Sequence, residues 1–193
     1  MVLGVVIISV VTGGMITAWG YYTPFMIVCS VVTAVGAGCL TTFEVDTASP
    51  KWIGFQALFG IGIGFGLQQP LMTVQTVLEL PDIPTGTAVV VFTQTLGGAI
   101  MLLTAQNVFQ NELLSNLAVQ VPDLDPQQVL DAGATDLRKN IENEYLAGVL
   151  TAYNDAVMAA LYVPTAMAAL SIVGALVTEW KSVKGRKLDM IPM

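Results

Sequence analysis

Five long apolar segments dominate this 193-residue sequence and limit the folds open to it. Each reaches or approaches the roughly 20 residues that an α-helix needs to cross a bilayer, at about 1.5 Å of rise per residue. Only 11% of the residues are charged, whereas a soluble domain would carry roughly a quarter. We therefore predict an all-α integral membrane protein with five transmembrane helices. The segments are Val2–Trp19, Tyr21–Phe43, Trp52–Leu78, Gly86–Phe109 and Val149–Glu179.

The first segment could also be a secretory signal peptide, because it is apolar and begins at the second residue. It has no basic residue ahead of its apolar stretch and no clear small-x-small cleavage site before the next segment. We therefore interpret Val2–Trp19 as a spanning helix.

Polar connectors divide the segments and favour one orientation. Short connectors lie at Gly20, at 44–51 and at 79–85, whereas the stretch 110–148 is long. Four of the seven basic residues fall in the tail, 180–193, and this favours a cytoplasmic tail because basic loops tend to stay on that side. Five spans then place the N-terminus and the long loop outside.

The long loop carries two signals for helix starts. Asp125 followed by Pro126 has the pattern of an N-cap and a proline at the first helical position. A second helix is predicted to begin near Thr135 and to run into the last span, with Gly133 separating the two. We therefore expect an outer loop that is partly helical.

Glycines in the third and fourth segments have spacings that suit close helix contact. Gly62 and Gly66 form one small-xxx-small row, and such rows let two helix backbones approach. We also interpret Gly60, Gly64, Gly97 and Gly98 as residues that allow close helix packing. At helical spacing one predicted face carries Gly60, Gly64, Gln68, Met72 and Gln75. A phosphate-binding loop is excluded, because neither its G-x-G-x-x-G spacing nor its strand is present.

Glutamines interrupt the same two segments, where an unpaired amide costs several kcal/mol. The four are Gln68, Gln69, Gln75 and Gln94. Pro70 predicts a bend and cannot donate to the Gly66 carbonyl, so Gln68 or a neighbouring helix could satisfy that freed group. Four amides in adjacent helices instead favour a hydrogen-bonding, water-accessible cavity, since polar groups within membranes usually face the bundle interior or a pathway.

Several motifs occur together in the chain. A Gly-rich run leads into Gln68-x-Pro70, an acidic-Pro-Gly connector follows at 82–86, and FTQTLGG occupies 92–98. This set resembles the late transmembrane pair of fungal major facilitator superfamily transporters, and more narrowly the fourteen-helix drug:proton antiporters that include multidrug and mycotoxin efflux pumps. The resemblance extends over essentially the whole chain through GYYTPFM (20–26), DAGA (131–134) and YNDA (153–156).

The resemblance implies that residues 1–193 form part of a C-terminal transporter half, equivalent to the last five of fourteen helices. It implies export of small amphipathic molecules across the plasma membrane or the vacuolar membrane. The implied partners are the lipid bilayer, such a substrate and an N-terminal transporter half, and neither a cofactor nor a metal is implied. Family members often carry a basic residue just before the Gly20–Tyr21 pair, but this chain has Thr17-Ala18-Trp19 there. The basic residue on which the resemblance would base a gating ion pair at this loop is therefore not found at these positions.

Composition and residue types argue against several other functional classes. The chain has no histidine, and its net charge of -7 provides no basic surface for nucleic acid. We interpret Cys29 and Cys39 as small buried residues, and no nucleophile–base arrangement supports an intramembrane enzyme. Asp155 is the deepest acidic residue and a weak candidate for proton coupling, although an interfacial acid near a helix start is the simpler interpretation. A self-contained five-span structural or partner-binding protein remains an alternative to a transporter.

Overall fold

The computed structural model describes residues 1–44, 47, 49–122, 124–130, 137 and 141–178. Five segments of this part are helical, long and apolar enough to cross a membrane, so the prediction of an all-α integral membrane protein with five spans is confirmed. The third span consists of two helices. The helices are α1 (Val2–Trp19), α2 (Thr23–Leu40), α3 (Ser49–Gly66), α4 (Gln69–Val77), α5 (Ile83–Gln120) and α6 (Asn143–Val177).

A tight turn joins α1 to α2. Gly20 adopts a φ of 86°, in the left-handed region that favours glycine, and its N–H donates to the Ile16 carbonyl at 2.7 Å. Pro24 lies in the first turn of α2, where a helix needs no N–H donor. Ile16, Tyr22 and Phe25 are buried together beside the turn. We call this end of the bundle the Gly20 end.

α3 runs parallel to α1 at very short range. A Cβ added to Gly60 would lie 2.7 Å from the Met1 carbonyl oxygen, and one added to Gly64 would lie 2.8 Å from Ile8 Cβ. Both distances are shorter than real Cβ contacts allow. The two glycines therefore set how closely α3 approaches α1.

The other side of α3 packs antiparallel against α2. A Cβ added to Gly62 would lie 2.6 Å from the Thr33 backbone nitrogen. A reciprocal contact comes from α2, because a Cβ at Gly36 would lie 2.8 Å from Phe59 Cα. Glycines on both helices thus bring the two backbones together, and α3 lies between α1 and α2.

α6 closes the bundle by packing antiparallel along α2. Near the start of α6, the Asn154 side-chain amide donates to the Phe43 carbonyl at 3.2 Å. Near the other end, Ser171 and Ser30 form a hydroxyl–hydroxyl hydrogen bond of 3.0 Å. α6 therefore ends at the Gly20 end. α4 ends there as well, because Met72 packs against the buried Ile16, Tyr22 and Phe25 beside Gly20.

α5 continues eleven residues beyond the predicted end of its apolar span at Phe109, and α6 begins at Asn143, six residues before the predicted apolar span that starts at Val149. Much of the predicted loop 110–148 is consequently helical extension of the two spans. The cause is an amphipathic pattern, in which Leu113 and Leu117, four residues apart, are buried against α6. The predicted spans followed the continuous apolar runs, whereas the helices continue past them along this amphipathic pattern.

The rest of the long loop is described only in part. Residues 126–130 are helical, and the backbone N–H of Gln127 donates to Asp125 Oδ1 at 3.0 Å. The predicted N-cap at Asp125 is therefore confirmed. The predicted helix start near Thr135, the separator Gly133 and the basic tail lie outside the described residues.

Candidate substrate cavity

The third span breaks just before Pro70. α3 ends at Gly66 and α4 begins at Gln69, with Leu67 and Gln68 between them. The Gln69 side-chain Nε2 donates to the Phe65 carbonyl at 3.0 Å and thereby serves a backbone acceptor at the break. The interruption lies at the predicted bend position. Gln69 makes its side-chain hydrogen bond to the Phe65 carbonyl, so the predicted pairing of the freed Gly66 carbonyl with Gln68 or with a neighbouring helix stays a prediction.

This break divides the face that the spacing predicted. Gly60 and Gly64 contact α1, whereas Met72 packs beside the buried Ile16–Tyr22–Phe25 cluster, and Gln68 and Gln75 are exposed. A single helical face would have required an unbroken helix from 60 to 75. The interruption changes the helical register, so these residues are distributed over different surroundings.

A cavity of about 410 Å³ lies beside the break, between α2 and α6. Cys29 and Ser30 line it from α2, Gln69 and Pro70 from the start of α4, and Ser171 and Gly174 from α6. Gln69 is 1% exposed, and no donor among the described residues reaches its Oε1. The cavity is otherwise mostly apolar, which is typical of small-molecule sites.

The other predicted cavity residues lie elsewhere. Gln68, Gln75 and Gln94 are all exposed on the described part of the chain. Gln94 lies eleven residues into α5, about 16 Å along that helix, and Gln68 lies nine residues before the end of α4, about 14 Å from it. Gln69 is therefore buried, whereas the other three glutamines lie on exposed surfaces.

Gly97 and Gly98 have no close neighbour in the described residues. A Cβ added to either one would meet nothing within 4 Å. Both lie in the part of α5 that extends away from the other helices, so their predicted packing role stays a prediction.

Asp155 is exposed on α6, one residue after Asn154. Asn154 lines a second cavity of about 360 Å³ at the end opposite Gly20, together with Phe43, Glu44, Trp52 and Gln56. Asp155 does not line that cavity. Among the described residues, no three His, Cys, Asp or Glu side chains are placed to hold a metal ion.

Curated relatives match the chain over almost all of its length. The MFS-type transporter astH of Aspergillus oryzae is 53% identical over 97% of this chain and 33% of its own length. The MFS-type efflux pump MFS1 of Trichophyton rubrum is 49% identical over 98% of this chain and 35% of its own. The chain belongs to the major facilitator superfamily. No family model and no solved structure matches it.

This major facilitator superfamily chain spans about a third of the length of the curated relatives it matches. A third relative, the efflux pump aflT of Aspergillus parasiticus, is 47% identical over 91% of this chain and 34% of its own length. These proportions are consistent with the partial C-terminal bundle that the sequence motifs predicted.

Sequence reasoning missed two polar residues of the superfamily chain's larger cavity, Ser30 and Ser171. They are 141 residues apart in sequence and meet only because α2 and α6 pack together. A weak signal was available, because each is an isolated serine in a long apolar run. Serine is nevertheless common in transmembrane helices, so the spacing alone could not identify the pair.

Proposed function

We propose that this chain is part of a transporter that exports small amphipathic molecules, and that Gln68, Gln75 and Gln94 line its substrate cavity. The main support for this proposal is the part of α5 that is long enough to cross the membrane and is exposed. None of the residues in its most apolar window is buried, and Gln94 lies within this part. An amide facing lipid near mid-bilayer costs several kcal/mol, so we expect this face to meet another part of a larger transporter.

The depths of two amides support a shared cavity. Gln94 and Gln68 lie about 16 Å and about 14 Å from the ends of α5 and α4 that adjoin the connector 78–82, close to the middle of a roughly 30 Å hydrocarbon core. Gln75 lies only two residues before Val77, so we assign it to the mouth of the cavity. Substrate sites near the membrane midplane are typical of secondary transporters.

Uncharged amides suit a cavity that accepts varied amphipathic compounds. An amide offers two donors and an acceptor and therefore pairs with many polar groups. It also avoids the large desolvation cost of a buried charge. Relatives named as efflux pumps support export as the direction of transport. We place the whole transporter in the plasma membrane, with the vacuolar membrane as the alternative.

Proton coupling belongs to this proposal as well. The described spans place Asp155 on an exposed surface of α6, which suits an acid at the membrane interface better than a proton carrier. We therefore assign the coupling group to another part of a whole transporter. In a full-length relative, Asp155→Asn should leave proton-driven export intact; loss of the proton dependence with substrate binding retained would instead assign coupling to Asp155.

The cavity residues are tested by drug export from membrane vesicles that contain a full-length relative. Gln68→Leu, Gln75→Leu and Gln94→Leu at the matching positions should change the ranking of exported compounds while folding is nearly unchanged. The control is Gln110→Leu, which makes the same chemical change on α5 about 24 Å beyond Gln94. An unchanged ranking in all three cavity variants would contradict the assignment.

The 193-residue chain alone should support no substrate-driven flux. Alternating access requires two bundles that move about a central site, and the part of this chain that the structure describes supplies five spans. Flux through the chain alone would refute the partial-transporter proposal. A stable oligomer of the chain in mild detergent, without flux, would favour the self-contained structural protein instead.

A further inference from the structure

The second cavity, of about 360 Å³, lies where three parts of the chain meet at the end of the bundle opposite Gly20. These parts are the residues that follow α2, the first turns of α3, and α6. Asn154 of α6 joins them, because its side-chain amide donates to the Phe43 carbonyl at 3.2 Å. The lining residues are Phe43, Glu44, Thr47, Trp52, Gln56, Asn154 and Met158.

Glu44 gives this cavity a negative charge that a ligand can reach. Glu44 is exposed, and among the described residues that line the cavity it alone is charged. Two hydrogen bonds hold the turn that carries it. The Glu44 N–H donates to Thr47 Oγ1 at 2.8 Å, and the Thr47 N–H donates to the Glu44 carbonyl at 3.0 Å. A cation in the cavity would therefore meet a carboxylate on an ordered turn.

Aromatic rings form another part of the wall. Trp52 is 40% exposed, and the Phe43 ring stacks on Phe55 with the ring centroids 5.9 Å apart. Aromatic rings attract cations, tryptophan most strongly, and such rings are typical of sites that bind quaternary ammonium groups. A metal ion suits the wall less well, because no three His, Cys, Asp or Glu side chains of the described chain are placed to hold one. The lining therefore favours an organic cation.

A basic residue lies beside the cavity without lining it. Lys51 directly precedes Trp52 in α3, and its Nζ lies 5.9 Å from the centroid of the Phe55 ring, which is a cation–π distance. The stacked pair of Phe55 and Phe43 thus connects the Lys51 ammonium to the cavity wall. A ligand with a cation and an adjacent anion could meet Glu44 and Lys51 at the same time.

The position of the cavity in the membrane indicates the source of such a ligand. Glu44 follows the last residue of α2 by four positions, and Trp52 lies three residues into α3. Both helices belong to membrane spans, so the cavity lies at the bilayer interface, among the lipid head groups. A phosphocholine head group carries a trimethylammonium cation next to a phosphate anion. This chemistry matches the carboxylate, the aromatic rings and the neighbouring lysine.

We propose that this cavity binds a trimethylammonium group, and that the group belongs to the head group of a zwitterionic membrane lipid. Glu44 supplies the opposite charge, and Trp52 and Phe43 supply the aromatic wall. Lys51 pairs with the lipid phosphate. In the predicted topology this end faces outside, so the lipid lies in the outer leaflet. The site is separate from the proposed substrate cavity, and the inference does not rest on export.

The requirement for an ammonium group is tested with choline and its neutral isostere 3,3-dimethylbutan-1-ol. Trp19→Phe with Trp180→Phe leaves Trp52 as the one tryptophan of the sequence. Its fluorescence is followed in dodecyl maltoside micelles, which contain no ammonium group, at constant ionic strength. Choline should change the emission saturably, and the alcohol should bind about five- to thirtyfold more weakly, the ratio expected for one exposed charge contact and one cation–π contact.

The lipid source is tested with dihexanoylphosphatidylcholine and dihexanoylphosphatidylglycerol, which share their acyl chains and their phosphate. The choline lipid should bind roughly tenfold or more tighter than free choline, because the micelle holds its chains beside the cavity. The glycerol lipid should give no saturable change. Lys51→Gln should weaken binding of the choline lipid about two- to fivefold without weakening free choline, since only the lipid has a phosphate.

Substitutions in the wall identify the site. Glu44→Gln keeps the side-chain size and should weaken choline binding about two- to fivefold. Glu79→Gln is the matched control, because it makes the same change at an exposed acid of the Gly20 end, and binding should be unchanged. Phe43→Leu should weaken choline binding by a similar factor through loss of a ring. Circular dichroism of each variant verifies that its helices are retained.

Three results would overturn the proposal. Equal binding of choline and 3,3-dimethylbutan-1-ol, or no saturable change with either, would remove the ammonium site, and this comparison needs no substitution in the cavity. Equal choline binding by Glu44→Gln and Glu79→Gln would show that the Glu44 carboxylate does not contact the ligand. Free choline that binds as tightly as the choline lipid would make the ligand a soluble ammonium compound instead of a lipid.

Discussion

Gly36 offers the sharpest test of how α2 and α3 are held together. A Cβ added there would lie 2.8 Å from Phe59 Cα and 2.9 Å from the Phe59 backbone nitrogen. Both atoms belong to the backbone of α3, so no side-chain rotation can relieve the clash. Gly38, two residues later on the same helix, has open space at the same position. Gly36→Ala and Gly38→Ala therefore form a matched pair.

The expected magnitude follows from these distances. Ordinary contact begins near 3.4 Å, so Gly36→Ala must separate the helices locally by about 0.6 Å. A gap of about 0.5–1 Å forfeits a quarter to a half of the dispersion energy of the atoms beside it. Overpacking of this kind costs about 1–3 kcal/mol. Alanine also gains roughly 1 kcal/mol of helix propensity over glycine, but both variants gain it. Gly36→Ala should therefore be less stable than Gly38→Ala by about 1–3 kcal/mol.

The assay is reversible unfolding in mixed micelles, followed by helical circular dichroism as the fraction of denaturing detergent rises. The free energy of unfolding of each variant is compared with that of the unsubstituted chain. Gly38→Ala should match or exceed the unsubstituted chain. Equal stability of the two variants would mean that α2 and α3 do not meet at Phe59, and the close packing of these helices would be refuted.

Three further predictions concern other parts of the chain. In the 193-residue chain, Gly64→Leu should lower the free energy of unfolding by about 1–3 kcal/mol in the same assay, whereas Gly98→Leu should not, because a Cβ at Gly98 meets no atom within 4 Å. In a full-length relative we expect Gly98→Leu to be destabilising as well. Asp125→Ala should cost about 1 kcal/mol of local stability through loss of the hydrogen bond from Gln127, with Asp125→Asn as the conservative control; equal amide exchange at 127–130 in the two variants would contradict the N-cap. In a cysteine-free background, an impermeant thiol reagent added outside should label Asp136→Cys and not Lys184→Cys, and the reverse pattern would invert the topology.

Features that depend on local chemistry could be predicted from the sequence. A run of apolar residues of span length has to be helical in a bilayer, because its backbone groups can only pair with one another there. The bend at Pro70 and the N-cap at Asp125 are equally local, since a missing N–H and a side-chain acceptor act within one turn. The five spans, a helix interruption beside Pro70 and the cap could therefore be predicted without knowledge of the fold.

Features that depend on a partner helix were decided by the tertiary structure. The extension of α5 to Gln120 requires α6 and residues 126–130 to bury Leu113 and Leu117, and these partners are distant in sequence. The four glutamines looked alike as residues in apolar segments. Only the packing of α2, α4 and α6 made Gln69 a buried hydrogen-bonding group and left Gln68, Gln75 and Gln94 exposed. Burial is a property of the assembled surfaces, so spacing along one helix could not distinguish them.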